Sequence, residues 1–191
     1  MARVSGVPIL GIVRFIKKNL KGKNIEDFLR LIEDKEDREI FQRRIMPTEW
    51  YPYRTYINLL TLMDKHFGKG DLSHAHEMGR TAADVDLKGI YKVFLRLGPT
   101  NFFLKRIMSM WKGYYDTGKI EVLETGGSKI YIKLSDFNGI KRIHCLTVEG
   151  WIERFIELCG VPGVHIRQTQ CMAEGSPFCM FEVTIESWEK G

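Results

Sequence analysis

Three cysteines in this chain stand where their sulfurs could meet. Cys171 and Cys179 flank the segment Ala173-Glu174-Gly175-Ser176-Pro177, and both flanks are rich in β-branched and aromatic residues. Gly, Ser and Pro between such runs specify a hairpin with a longer loop. If that hairpin is symmetric about Gly175, Cys171 lies opposite Cys179, and cross-strand partners share a face with Cβ atoms about 4.5–5.5 Å apart. Cys179 shares its face with Phe181, Val183 and Ile185, so both thiols point inward. Two inward thiols make a metal clip, a disulfide or plain core packing. The residues alone leave these open, because zinc knuckles usually have closer cysteines and free cysteine is commonly buried. Cys145 is the upstream third candidate, and Cys159, near a helix end, reads as packing.

A second group of side chains is aromatic. Phe94, Phe102, Phe103, Trp111, Tyr114 and Tyr115 fall on helical segments ahead of the first hairpin, and Trp151 on a later helix. Phe94, Phe102, Trp111, Tyr115 and Trp151 are expected to line an apolar pocket between helices and sheet. The competing reading of each is ordinary core. Catalytic signatures are sparse: no phosphate-binding glycine loop, no dinucleotide fingerprint, no paired His-Glu metalloprotease spacing and no nucleophile elbow.

These groups must be positioned by the elements around them. Apolar residues at helical spacing predict helices over residues 8–20, 25–32, 36–45, 48–67, 71–84, 86–97 and 100–115. Asn24 and either Asp71 or Ser73 are expected caps. From Lys119 the period changes. Residues 120–125 and 129–134 flank Gly126-Gly127, a dipeptide suited to a tight hairpin. The second arm alternates, with Ile130, Ile132 and Leu134 inward. A helix over 143–159 and a hairpin over 164–185 complete the chain. The expected fold is therefore α+β: N-terminal helices packed on a four-stranded antiparallel sheet built as β-hairpin, helix, β-hairpin. Residues 1–191 are read as one domain, with a mainly helical half (1–118) and a hairpin-helix-hairpin half (119–186).

Composition narrows the function classes. The 191 residues are 44% hydrophobic and 28% charged, as in soluble globular proteins. No apolar run approaches the roughly 18 residues of a spanning helix. The apolar run at residues 7–13 precedes its lysines, the reverse of a secretory signal, so a cytoplasmic chain with reduced thiols is expected. The net charge of +5 is spread over basic pairs such as Lys17-Lys18 and Arg43-Arg44 among acids, which does not suggest a nucleic-acid partner.

The helix bearing Gly150-Trp151, then Gly160 and a strand, then Cys171-Met172-Ala173-Glu174-Gly175-Ser176-Pro177-Phe178-Cys179-Met180-Phe181 resemble the end of the 4-vinyl reductase domain. That domain closes on a Cys, several residues, Gly-Asp-x-x-Cys and an aromatic. Trp50-Tyr51-Pro52 and the stretch from Trp111 to Gly118 are similar to a bacterial branch of it, and the resemblance is strongest over residues 94–185. The wider superfamily is a ligand-binding fold of nitric-oxide signalling and Golgi transport, related to the aromatic-sensing modules of bacterial regulators. The resemblance implies zinc held by three cysteines and one glutamate. Carried over, the ligands are Cys145, Cys171, Cys179 and the residue three before Cys171, which is Gln168. A neutral amide is a poor zinc ligand, and strand parity turns position 168 away from Cys171 unless a bulge intervenes. Glu149, one helical turn after Cys145, is the alternative fourth ligand, with His144 behind it. The implied function is a homodimeric sensor of a small hydrophobic or aromatic effector. A dimeric scaffold like the tethering-complex subunits is the alternative, and a reductase-related accessory protein of tetrapyrrole metabolism the third.

Overall fold

The clean alternation at Ile130, Ile132 and Leu134 decides the architecture of the C-terminal half. In the computed structural model, which describes residues 1–19, 25–87, 100–124 and 128–186, these three side chains are buried on one face of a four-stranded antiparallel sheet. Its strands are β3 (Lys119–Glu124), β4 (Lys129–Ser135), β5 (Val164–Gln170) and β6 (Cys179–Ile185), in the order β3-β4-β6-β5. Ile130 pairs with Val183, Ile132 with Phe181 and Leu134 with Cys179, so apolar partners stack on the inner face. The outer face is wet, where Lys129 Nζ meets Glu182 Oε1 at 3.0 Å.

Seven helices precede or cover that sheet among the described residues. They are α1 (Gly6–Asn19), α2 (Ile25–Leu31), α3 (Lys35–Gln42), α4 (Tyr53–Phe67), α5 (Ala75–Asp86), α6 (Thr100–Tyr114) and α7 (Arg142–Leu158). The expected α+β class and the four-stranded antiparallel sheet are therefore what the chain forms. No described helix is long and apolar enough to cross a membrane.

Helix α7 is the spine. It buries Ile143, Cys145, Val148, Ile152, Phe155 and Ile156, and packs on the sheet and on α5. The α5–α7 contact is made by glycine. A Cβ on Gly79 would stand 2.0 Å from the Thr147 carbonyl oxygen, and one on Gly150 would stand 2.0 Å from that of His76. The two helix backbones therefore touch, which only residues without a side chain permit. Elsewhere α3 is fixed to α4 by a buried carboxylate: Asp37 accepts from Thr55 Oγ1 at 2.6 Å and Asn58 Nδ2 at 2.7 Å.

The structure departs from the sequence reading in three places. Trp50-Tyr51-Pro52, expected inside a helix, is strand β2 (Trp50–Pro52), paired antiparallel with β1 (Arg3–Ser5) in a separate two-stranded sheet. Proline is the reason: it holds the preceding residue extended, so α4 begins only at Tyr53. The fifth helix starts at Ala75 without a side-chain cap, because Asp71 spends its carboxylate on the Ser73 N–H at 3.0 Å. It also runs on to Asp86 rather than stopping at residue 84. The helix expected over 86–97, the Asn24 cap and the Gly126-Gly127 turn lie largely or wholly outside the described residues.

Gly79→Ala and Gly150→Ala are each expected to destabilise the protein by about 3 kcal/mol or more, the upper end of overpacking costs. Urea denaturation measures this. A loss below about 0.5 kcal/mol, as at an ordinary surface site, would show that α5 and α7 are not in backbone contact.

Candidate functional site

The C-terminal hairpin brings Cys171 and Cys179 together as its symmetry suggested, and α7 adds Cys145. Gln170 pairs with Met180, and a register shift separates Gln168 from Gln170. That irregularity is the bulge that the parity argument required. Cys145 Sγ lies 3.6 Å from Cys171 Sγ and 3.8 Å from Cys179 Sγ, and all three thiols are free and buried. The Cys145 contact and the Met172 N–H draw Cys179 down from the usual thiol range, while Cys179 and burial push Cys145 up. The two expected fourth ligands have oxygens bonded to other groups, although the Gln168 side chain also reaches Cys179. Glu149 Oε1 accepts the Gln168 N–H at 3.1 Å, and Gln168 Oε1 accepts from Arg142. His144 is also turned to another partner, with Nδ1 2.8 Å from Tyr53 Oη.

His144 is fully buried among Tyr53, Tyr56, Trp111, Tyr115 and Phe137, and the Trp111 ring stacks over it at 6.1 Å. Burial holds its imidazole down to about 3, so it is neutral at physiological pH. This aromatic block ties α4, α6 and α7 into one body and forms the floor of a cavity.

The cavity, of about 60 Å³, opens between α1, α5, α6 and α7. Pro8 and Ile12 come from α1, and Met78, Ala82 and Asp86 from α5. Met110, Trp111 and Tyr114 come from α6, and Thr147 and Trp151 from α7, with Tyr56 and Tyr115 at the base. Each helix contributes at steps of three or four residues, so one face of each points inward. Among the residues expected to bind a ligand, Trp111, Tyr115 and Trp151 do line one space. Phe94 and the side chain of Phe102 lie outside the described residues.

Asp86 is the polar centre of this wall, and its side chain is only 6% exposed. Its Oδ2 accepts from Tyr114 Oη at 2.7 Å and from Trp151 Nε1 at 3.1 Å. Its Oδ1 faces Arg14 Nη1 at 4.0 Å, beyond hydrogen-bond distance. Burial raises the Asp86 carboxyl above the usual carboxylate range, and the hydrogen bonds from Tyr114 and Trp151 with the Arg14 charge only partly offset it. The sequence reading passed over Asp86. Its signal was the four-residue spacing Met78, Ala82, Asp86, which sets an acid on the apolar face of α5.

With the geometry in place, the fold has known relatives in space. No protein-family model and no curated protein sequence matches the chain. Among solved structures, a mutant H-NOX protein from Shewanella oneidensis in the Fe(II) ligation state superposes with a TM-score of 0.74 at 12% identity, over 97% of both chains. The Fe(II)NO state of the S. oneidensis H-NOX protein gives 0.71 at 12% identity, over 96% of this chain and 99% of that one. A structure from work on heme distortion in the H-NOX family gives 0.65 at 14% identity, over 98% and 100%. At such identity the likeness is one of fold: the chain has an H-NOX-like fold.

Two expectations are corrected by this. The 4-vinyl reductase resemblance, strongest over residues 94–185, is overturned, because full-length superposition leads to H-NOX domains. The zinc cofactor goes with it. The metal named in the structural neighbours is iron, and here Glu149 and Gln168 are committed to other bonds.

Replacing Asp86 tests the strain in the cavity wall. A carboxyl raised on folding is favoured in its protonated form, so its contribution to stability is present at low pH and lost as pH rises through the folded value. Asp86→Asn keeps an acceptor for Tyr114 and Trp151, and is expected to be more stable than wild type at neutral pH. The gain should vanish as pH falls to about 4, the ordinary carboxylate range. Urea melts of both proteins across that range measure it, and a gain that grows toward acid pH would contradict the assignment.

Proposed function

We propose that this chain is a small-molecule-sensing domain with an H-NOX-like fold that takes its ligand directly in the α1–α5–α6–α7 cavity, without haem. The observation that carries the reading is the cavity itself: aromatic and thioether walls around one buried carboxylate, at the junction of the N-terminal helices and the sheet-bearing half. A ligand there touches α1 and α7 at once. Sensing then requires only that it bind one arrangement of these helices better than another.

Haem does not fit the residues present. An apolar cavity that accepts benzene measures about 150 Å³, and this one holds about 60 Å³ among the described residues. A tetrapyrrole is far larger than benzene. The axial ligand is missing as well. The chain has five histidines, and none of them lines the cavity. His66 and His165 are exposed, His74 and His76 are half-buried outside it, and His144 is held by Tyr53. Tyr114 and Tyr115 line the cavity, but burial keeps their phenols protonated. The same volume argues against an aromatic effector and for a compact ligand with an apolar surface.

Two measurements test the reading. Hemin added to purified protein is expected to give no one-to-one complex with an axially ligated Soret band, and such a complex would overturn it. Ala82→Leu, which builds into the cavity from α5, is expected to change stability by less than the ~1–3 kcal/mol that overpacking a closed core costs. It should also abolish thermal stabilisation by compact ligands, and a full ligand response in this variant would place binding elsewhere.

A further inference from the structure

Resting on that reading, we infer that the cavity ligand is a small alkylammonium ion, a methylated amine of a few heavy atoms, held with its charge against Asp86. The inference joins three observations. The carboxylate is nearly enclosed, and both hydrogen bonds it accepts in the wall fall on Oδ2. Its Oδ1 is left facing Arg14 at 4.0 Å, a distance at which the guanidinium does not hydrogen-bond. The walls beside it are aromatic: Tyr114 and Trp151 stand edge to face at 6.0 Å, and Trp111 and Tyr115 pack at 4.4 Å.

With Arg14 at 4.0 Å, the buried Asp86 carboxylate is only partly compensated in its apolar surroundings. Aromatic faces add attraction for a cation within about 6 Å of their centroids, strongest for Trp and when the cation is desolvated. Methyl groups on the nitrogen suit the remaining lining, Met78, Met110 and Ile12, whose thioether and aliphatic surfaces offer nothing to a strongly hydrated ion. An inorganic cation would need several oxygen ligands, and the cavity offers a single carboxylate. A neutral apolar molecule would leave the Asp86 charge unanswered. Arg14 lies on the surface, 43% exposed, and acts as the weak competitor a ligand displaces.

The test uses the full chain and two compact probes of similar shape, methylammonium chloride and methanol, at matched ionic strength, read by calorimetry and thermal shift. Methylammonium is expected to bind saturably, one per chain, at least about tenfold more tightly than the alcohol, as for other desolvated cation–π sites. Asp86→Asn is expected to remove that preference, so that the two probes bind alike. Arg14→Gln, a surface change with little bearing on folding, is expected to tighten ammonium binding roughly two- to fivefold, the equivalent of one exposed ion pair. Equal binding of both probes, indifferent to Asp86→Asn and Arg14→Gln, would overturn the ammonium assignment and leave the ligand cavity standing. Absence of binding by either probe at millimolar concentration would overturn the ammonium assignment and count against the cavity as a ligand site.

Discussion

Backbone contact between α5 and α7 is the constraint on which the rest of the structure depends. Gly79 lies against the Thr147 carbonyl and Gly150 against that of His76, so the two helices sit closer than any pair carrying side chains could. That approach sets where the far end of α5 falls. Met78 beside Gly79, then Ala82 and Asp86 at successive turns, are carried along the flank of α7 to meet Thr147 and Trp151. The hydrogen bond from Trp151 Nε1 to Asp86 is a direct consequence. Ion pairs at the outer edge follow the same line, with Arg80 on α5 reaching Glu153 and Glu157 on α7. Partly exposed pairs of this kind orient the helices more than they stabilise them.

Two buried clusters of opposite character flank α7. On the sheet side, Cys145 joins Cys171 and Cys179 in a small apolar knot that fastens the last hairpin to the helix. On the other side, His144 sits neutral in a cluster of five aromatic rings, and Tyr53 satisfies its Nδ1. Adjacent residues therefore serve different faces of one helix, a consequence of the hundred-degree turn between them. The thiols pack the sheet, and the histidine cluster builds the cavity floor. Asp86 is the exception to a wall otherwise composed for packing, since its carboxylate is held in burial that raises it above its usual range. Buried ionisable groups of this kind cluster at functional sites.

The H-NOX-like fold and the haem-free reading are compatible, because a fold supports many chemistries and the site decides among them. What the chain shares with the solved structures is the arrangement of helices over a hairpin-helix-hairpin sheet. Between the helices, aromatic and thioether side chains and one acid line the cavity. The first likeness read from the sequence rested on short motifs, Trp50-Tyr51-Pro52, Gly150-Trp151 and the cysteine hairpin among them, which report local geometry. Local geometry of that kind recurs across families, and the full succession of elements separates them.

By itself the sequence determined the local elements with a strong period. The alternation at Ile130, Ile132 and Leu134 made a one-sided strand, and the turn about Gly175 set a register that brings Cys171 and Cys179 to one place. Such features depend on neighbours two to ten residues away, where pattern and turn chemistry suffice. The sequence also carried the α5 spacing of Met78, Ala82 and Asp86, though nothing in it said what that face would meet. Tertiary structure decided the rest. It made a strand of Trp50-Tyr51-Pro52 by giving it β1 as a partner, and it closed α5 on α7 through two glycines far apart in sequence. It also brought Tyr114 and Trp151 onto Asp86 from helices 28 and 65 residues away. Contacts at such separations are set by which helix faces fit together in three dimensions, and a one-dimensional pattern does not encode that choice of partner.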